Sequence, residues 1–199
     1  MSAGVIVVSA AGNNAYKIDL PSGQDYNNYF NGSSSNAYHQ GTTPSACPGV
    51  ICVGAMDNKT PDHKVYFSCT GPRVDIYSPG VMIMGAYSSA TYVSAAIHDP
   101  RNTSYYLNKI SGTSQATPNV TGLSTLYLSL RPQSTATDLL KWLASVSVKG
   151  QLNESYYVGY TLSGVNIGTG TYTNLASLQG SVNGILYLPY HLPNPLTIY

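Results

Sequence analysis

Residues 111–122 read SGTSQATPNVTG, and the fold and function of the chain can be inferred outward from this stretch. From Val120 onward apolar residues recur at steps of three and four, which predicts a helix that begins at the glycine–threonine–serine turn. The first N–H groups of a helix lack intrahelical acceptors, so an oxyanion forming beside Ser114 would be stabilised there. The small neighbours Gly112 and Ala116 leave room for a substrate backbone. The stretch therefore indicates a candidate nucleophile at Ser114.

A second stretch, VVSAAGN at residues 7–13, ends in the polar side chain of Asn13. Residues 4–11 are almost wholly apolar, which is typical of a parallel strand covered on both faces. Open α/β sheets bind ligands beyond the carboxyl ends of their strands, which is where Asn13 falls. Its side-chain amide could donate to a developing oxyanion. Each stretch alone is common as a helix cap or a turn, but together they indicate an acyl-transfer site.

Further apolar runs predict an α/β fold with long connections. Strands are expected at residues 50–53, closed by Gly54, at 65–68 and at 74–77. Residues 146–199 predict a β-rich or extended tail, so we divide the chain at residue 145. The two segments rich in small polar residues and tyrosine, 15–46 and 85–109, predict long irregular loops.

Two helices are predicted in succession. The first runs from the serine stretch to Arg131, where Pro132 ends it, and Pro118 is expected in its first turn, where a missing N–H costs little. The second begins at Thr135, because Asp138 three residues later completes a capping box. Its apolar stripe consists of Leu139, Leu140 and Leu143.

The composition excludes several classes of protein. Of 199 residues only 9% are charged, and the formal net charge is +1, which excludes a strongly basic nucleic-acid binder. No run approaches the ~20 apolar residues of a membrane span, so no membrane partner is expected. The spacing of Cys47, Cys52 and Cys69 matches no metal-binding motif. The cysteines are therefore expected either to form one disulfide with one thiol left over or to act as three small buried hydrophobic residues.

Five blocks of sequence resemble one known family, in the family's order. They read AAGN at residues 10–13, PGVICVGA at 48–55, FSCTGP at 67–72, VDIYSPG at 74–80 and SGTSQATPNVTG at 111–122. The last resembles the motif Gly-Thr-Ser-Met-Ala-x-Pro-x-Val-x-Gly, and the first resembles an oxyanion-asparagine motif. The chain is thereby similar to the subtilisin-like serine proteases, or subtilases, over about residues 4–145.

The resemblance implies a fold and a set of site residues. The fold would be a doubly wound, mainly parallel α/β sheet, incomplete in this chain, with residues 1–145 as the C-terminal part of the catalytic domain. Ser114 would be the nucleophile, and Asn13 with the Ser114 N–H would form the oxyanion hole. The residues expected to contact substrate are Ala10, Ala11, Gly12, Gly112 and Thr113, with residues 41–45 as a further wall of the specificity pocket.

The chain also departs from the family's pattern. The family takes a catalytic Asp and a His followed by Gly from motifs that precede the asparagine motif, and Asn13 leaves no room for them. None of the chain's four histidines is followed by Gly, and Gln115 and Asn119 replace the family's usual Met and His. We therefore expect another polypeptide to supply the N-terminal half of the domain, either as a cleavage product, as the front of the same gene product or as a separately encoded chain. The histidines are His39, His63, His98 and His191.

Two functions follow as alternatives. The first is a serine endopeptidase that cleaves a peptide or protein substrate and is inactive without its Asp and His. The second is a catalytically silent, protease-like component of a virion or another large extracellular assembly, favoured by the neutral surface and the 18 tyrosines. Both place the protein outside the cell or on a virion. The resemblance allows calcium as a cofactor, although no ligand set is visible, and no other cofactor is expected.

Overall fold

The computed structural model describes residues 4–28, 38–58, 62–88, 96–153 and 178–186. Its elements, in chain order, are β1 Val8–Ala10, β2 Ile51–Met56, β3 Ile76–Pro79, β4 Ile83–Tyr87, β5 Ile97–Asp99, β6 Asn102–Ile110, α1 Thr113–Leu130, α2 Ala136–Val146, β7 Val148–Lys149 and β8 Gly184–Ile185.

The central sheet has the order β1-β2-β3-β8-β7. The pairs β1–β2, β2–β3 and β3–β8 are parallel, and only β7 runs antiparallel to its neighbour. Every residue of β2 is buried, as its apolar composition predicts for a strand covered on both faces. The predicted end of this strand at Gly54 is wrong. Gly54, Ala55 and Met56 continue the ladder by pairing with residues 77–79 of β3.

Helix α1 covers the sheet and packs against β1, β2 and β3. Its buried side includes Ala116, Val120, Leu123 and Tyr127, which confirms part of the predicted apolar stripe. Leu126 and Leu130, also expected in that stripe, are exposed. The placement of Pro118 in the first turn is wrong. The helix starts at Thr113, so Pro118 is its sixth residue, and the missing N–H removes a bond that the Ser114 carbonyl would otherwise receive.

Helix α2 begins as predicted. Thr135 is its N-cap and forms the reciprocal capping box with Asp138, each side chain bonding the other residue's backbone N–H. Leu139 and Leu143 are fully buried in the same core cluster as Val120, and Leu140 is partly buried against it. The ring of Trp142 stacks on Tyr127 of α1 with centroids 4.6 Å apart, which joins the two helices.

The segment predicted as an irregular loop at 85–109 forms, in its described residues 85–88 and 96–109, much of a second sheet. Strands β4, β6 and β5 form an antiparallel sheet in that order, with Ile83 opposite Ile110 at the end nearest α1. Most of its residues are exposed, so neither face imposes the alternation of apolar and polar residues that would have revealed strands.

The predicted strand at 65–68 is also wrong. Tyr66, Phe67 and Ser68 form a turn, closed by the bond from the Ser68 N–H to the Val65 carbonyl at 3.0 Å. The apolar residues of this segment serve the core instead. Val65 is buried, and Tyr66 and Phe67 pack partly buried against the same cluster.

In the predicted tail, β7 and β8 add two short strands to the central sheet, and residues 154–177 and 187–199 lie outside the described part. The boundary at residue 145 stays a prediction. All three cysteines have free thiols, and Cys52 and Cys69 are buried. Burial raises the pKa of the Cys52 thiol to about 12, so this residue behaves as a small apolar group.

Candidate active site

The end of β1 and the start of α1 are joined by the side chain of Asn13. Its Oδ1 accepts hydrogen bonds from the backbone N–H and from the Oγ1 hydroxyl of Thr113, both at 2.9 Å. The Thr113 Oγ1 in turn accepts from the Gly12 N–H at 3.2 Å. Residues 100 positions apart in sequence are thus held in one hydrogen-bonded unit, and the two motifs picked out from sequence lie side by side.

These bonds fix which end of the Asn13 amide is free. Only the oxygen of an amide accepts hydrogen bonds, so two donors on Oδ1 leave Nδ2 as the donor end of the side chain, and it has no acceptor among the described residues. The Nδ2 atom lies 3.4 Å from the position that a Cβ on Gly112 would occupy, and the Gln115 Oε1 lies 2.7 Å from the same position, so a side chain at Gly112 would collide with Gln115 beside the amide. Asn13 and Ser114 are both exposed to solvent.

The first turn of α1 leaves one backbone donor without an acceptor among the described residues. The Thr113 N–H donates to Asn13, and the N–H groups of Gln115 and Ala116 donate to the Gly112 carbonyl at 3.0 and 3.3 Å. The Ser114 N–H has no such bond. This N–H group and the positive end of the helix dipole would therefore stabilise an anion that forms beside the Ser114 hydroxyl.

A platform of backbone bonds supports the serine turn from below. The Gly112 N–H donates to the Gly80 carbonyl at 2.8 Å, and the Gly80 N–H donates to the Met56 carbonyl at 3.2 Å. The turn is thereby fixed to the ends of β2 and β3. On its outer side, the Ser111 Oγ accepts from the Met82 N–H at 2.9 Å, which ties it to the start of the second sheet.

Asn119 is a positioning residue that sequence reasoning missed. Its Nδ2 donates to the Pro79 carbonyl at 3.0 Å and to the Gln115 carbonyl at 3.3 Å, so it anchors α1 to the end of β3. In sequence it stood out only as a departure from a family pattern. Its partner carbonyl is 40 residues away, and no local signal reveals such a contact.

The residues expected to contact substrate are split between the two motifs. Ala10 is half-buried and Ala11 is buried, and Gly112 and Thr113 are buried beneath the exposed Ser114. Residues 41–45 form a turn of their own, closed by the Ser45 hydroxyl on the Thr42 carbonyl at 2.7 Å. None of the hydrogen bonds described for that turn reaches Ser114. The substrate-contacting role of these residues stays a prediction.

The described histidines are engaged elsewhere. His39 is buried with Nδ1 2.9 Å from the Lys17 carbonyl, and His98 lies on β5 with its ring 4.5 Å from that of Tyr106. His63 is buried in a bridge with Asn153. Among the described residues none bonds the Ser114 hydroxyl, so this part of the chain holds a candidate nucleophile and two candidate donors with no base beside them.

Comparison with known families decides the relationship. A family model described as the Subtilase family matches residues 1–162. This chain belongs to the subtilase family. The predicted resemblance is therefore confirmed.

Individual subtilases match most of this chain. It is 30% identical over 164 residues to subtilisin DY of Bacillus licheniformis, which covers 82% of the chain and 46% of that relative. It is 34% identical over 136 residues to the putative subtilase-type proteinase isp6 of Schizosaccharomyces pombe, with 66% and 26% coverage. The chain thus spans about half or less of the length of these relatives.

Solved structures confirm the predicted fold class. A cold-adapted subtilisin-like serine proteinase superposes with a TM-score of 0.57 at 22% identity, covering 94% of this subtilase chain and 46% of the other. Fervidolysin from Fervidobacterium pennivorans gives the same TM-score and identity, with 92% and 22% coverage. The chain has an α/β subtilisin-like fold that corresponds to part of a larger subtilase.

Proposed function

We propose that this chain carries the nucleophile and the oxyanion hole of a serine endopeptidase. Membership of the subtilase family supports this proposal. The observation that carries it is the Asn13–Thr113 unit. It fixes the orientation of the asparagine amide beside Ser114. Neither the Asn13 Nδ2 nor the Ser114 N–H has an acceptor among the described residues.

The proposed reaction is acyl transfer. The Ser114 Oγ forms a bond to the scissile carbonyl carbon while its proton passes to a base, and the carbonyl π electrons move onto the oxygen. That oxyanion accepts from the Ser114 N–H and the Asn13 Nδ2. Collapse of the intermediate breaks the C–N bond, and the departing amine takes the proton from the base. Water then attacks the acyl-enzyme carbonyl and gives its proton to the base. The C–O bond to the Ser114 Oγ breaks, the serine recovers its proton from the base, and the acid is released.

The base is proposed to be a histidine, oriented by an aspartate, on polypeptide beyond the described residues. The position of β1 supports a partner at that place. It lies at the edge of the described sheet, its three residues are only half-buried, and Val5 before it is 61% exposed. An unpaired parallel edge flanked by apolar side chains is suited to further strands. We propose that the N-terminal half of the domain docks there.

The proposed substrate is an extended peptide. Its scissile carbonyl would lie over Gly112 and Thr113, and its side chain on the acyl side would pack near Ala10, Ala11 and Gly12. Family membership also supports an extracellular location. Within the described part of the chain, no helix combines the length and the hydropathy that crossing a bilayer requires.

Peptide hydrolysis tests this function. It is measured on the protein together with the polypeptide that supplies the N-terminal half of the domain, here called the completing polypeptide. We expect Ser114→Ala to abolish cleavage of a mixed fluorogenic peptide library. Ser111→Ala is the matched control, because Ser111 lies three residues away, is exposed and only accepts a bond from the Met82 N–H. It should keep most of the activity. No cleavage by the complete wild-type protein would favour the catalytically silent assembly component instead.

A further inference from the structure

The relationship to the subtilases makes calcium a possible cofactor. The question is whether the described residues could bind it. Calcium takes several oxygen ligands from carboxylates and backbone carbonyls. Among the described residues, no group of three or more His, Cys, Asp or Glu side chains could hold a metal. Two clusters of the described residues nevertheless bring a carboxylate together with further oxygens. Each of these clusters already contains a side-chain cation of this chain.

The first place, the Arg73 cluster, comprises the Asp75 carboxylate and the carbonyls of Cys47 and Val50. The Arg73 guanidinium donates to the Val50 carbonyl at 2.6 Å, to the Asp75 Oδ2 at 2.8 Å and to the Cys47 carbonyl at 3.1 Å. Only 9% of the arginine side chain is exposed. The guanidinium thus sits within the kind of oxygen set that a hard cation would bind.

The Arg73 cluster joins separate parts of the chain. The Asp75 Oδ2 also accepts from the N–H of Cys52, the second residue of β2, at 2.8 Å. The two carbonyls precede β2, and Arg73 and Asp75 precede β3. The cation therefore holds the entry points of two adjacent strands together.

The second place, the Lys17 cluster, comprises the carboxylates of Asp19 and Asp25. The Lys17 Nζ lies 2.6 Å from the Asp25 Oδ2 and 3.5 Å from the Asp19 Oδ2, and both carboxylates are almost wholly buried. Burial by itself raises the pKa of Asp25, but hydrogen bonds from Lys17 and Asn28 outweigh it and the pKa is lowered. The carboxylate is therefore ionised, and the ammonium is its counter-ion.

The Lys17 cluster also organises a loop. The Asp19 Oδ1 accepts from the Leu20 N–H at 2.8 Å, and its Oδ2 accepts from the Asp25 N–H at 3.0 Å. The Asp25 Oδ1 accepts from the Asn28 side chain at 3.0 Å. Residues 17–28 are thereby folded around two acids and one base, much as a loop folds around a metal ion.

We propose that in both clusters a side-chain cation takes the place of a hard metal cation such as calcium, so that these two parts of the fold are held without metal. Two cations in one small oxygen set repel each other, so Lys17 and Arg73 exclude a metal while they are present. Removing either leaves an oxygen set with an uncompensated negative charge. Such a set of oxygens is then open to calcium. This inference does not depend on the proposed protease activity.

Local hydrogen exchange in the full-length protein, with its completing polypeptide, tests the proposal. The probes are the amides of Cys52, Leu20 and Asp25, because each donates to a carboxylate of one cluster. In the wild-type protein their exchange should be the same in calcium and in EDTA. Local amides report on these clusters alone, whatever calcium does elsewhere in the protein.

Two variants complete the test. We expect Arg73→Ala to speed exchange at Cys52, and Lys17→Ala to speed it at Leu20 and Asp25, each by roughly 10- to 100-fold. Calcium should restore the lost protection in both variants. Arg101→Ala is the matched control, since Arg101 pairs with Asp99 at 2.7 Å but is 83% exposed, and calcium should change nothing there.

Three results would overturn the proposal. The first is wild-type protection at these amides that falls in EDTA, because a metal would then already be required. The second is unchanged exchange in both variants, because the side-chain cations would then hold nothing. The third is protection that calcium does not restore in either variant. If Arg73→Ala does not fold, Arg73→Gln replaces it, because glutamine also removes the positive charge, and the wild-type comparison stands without any variant.

Discussion

Replacing Asn13 by Asp separates the two roles of its side chain, the oxyanion donor and the anchor for α1. Asn13→Asp keeps an oxygen to accept the two 2.9 Å bonds from Thr113, but it replaces the Nδ2 donor by a second acceptor. Removing one such donor from the oxyanion hole of a subtilisin costs about 10²–10³-fold in kcat, or about 2.7–4 kcal/mol. We expect a loss of that size in this chain's acylation rate, with the fold preserved.

Asn13→Leu is the comparison that makes the magnitude informative. It removes the donor and both acceptor bonds, and each lost bond costs about 0.5–1.5 kcal/mol, so the free energy of unfolding should fall by about 1–3 kcal/mol. In Asn13→Asp both bonds remain, and a charge near the N-terminus of α1 adds about 0.3–1 kcal/mol of stability. Both variants should therefore lose rate, whereas only Asn13→Leu should lose stability.

The assay is the cleavage rate of a peptide substrate at saturation, with unfolding followed in urea on the same preparations. Both use the protein with its completing polypeptide. An Asn13→Asp rate within about threefold of wild type would refute the role of Nδ2 as an oxyanion donor. Equal loss of stability in the two variants would refute the anchoring role of Oδ1.

Three further predictions test the platform, a buried charge and a helix cap. In Gly80→Ala the new Cβ would lie 2.6 Å from the Ala55 Cβ and 2.8 Å from the Gly112 carbonyl oxygen, and these clashes would displace the serine turn. This variant should therefore lower kcat more than it raises KM, as steady-state kinetics would show. Burial lowers the pKa of Lys64 to about 7 from its ordinary 10.5. Between these two pH values Lys64 is neutral in the folded protein but protonated in the unfolded chain, so the free energy of unfolding rises with pH. Lys64→Met should remove this rise, which amounts to at most ~1.4 kcal/mol per pH unit, and urea unfolding of both proteins across that range measures the difference. Thr135→Ala should cost about 1 kcal/mol of stability by removing the N-cap acceptor of α2, whereas Thr135→Ser should cost little, as thermal unfolding would show.

Helices and parallel strands could be predicted because their signals are local. The capping box of Thr135 and Asp138 lies within four residues, and the buried stripe of α1 recurs at steps of three and four from Ala116 to Tyr127. The continuous apolar run of β2 predicted that both faces of this strand are buried, and they are. The pairing of Asn13 with the start of α1 could also be expected, because both motifs lie at the carboxyl edge of the same sheet.

The features that were missed depend on distant partners. The second sheet is exposed on most residues, so its sequence carries no alternation, and its strands are defined by pairing alone. Neither Arg73 nor Lys17 belongs to a motif that the sequence makes recognisable. Their roles arise from carbonyls and carboxylates that other segments bring to them, and Asn119 finds its acceptor in the same way.

Labelling of the native protein with a fluorophosphonate, with the modified peptide mapped by mass spectrometry, tests the central claim most directly. The reagent bonds only to a serine whose hydroxyl is activated by a base and whose adduct an oxyanion hole stabilises. With the completing polypeptide present, we predict one modified residue, Ser114, and no label in Ser114→Ala. Absence of label at Ser114 in that complete material, or label on another serine, would contradict the account.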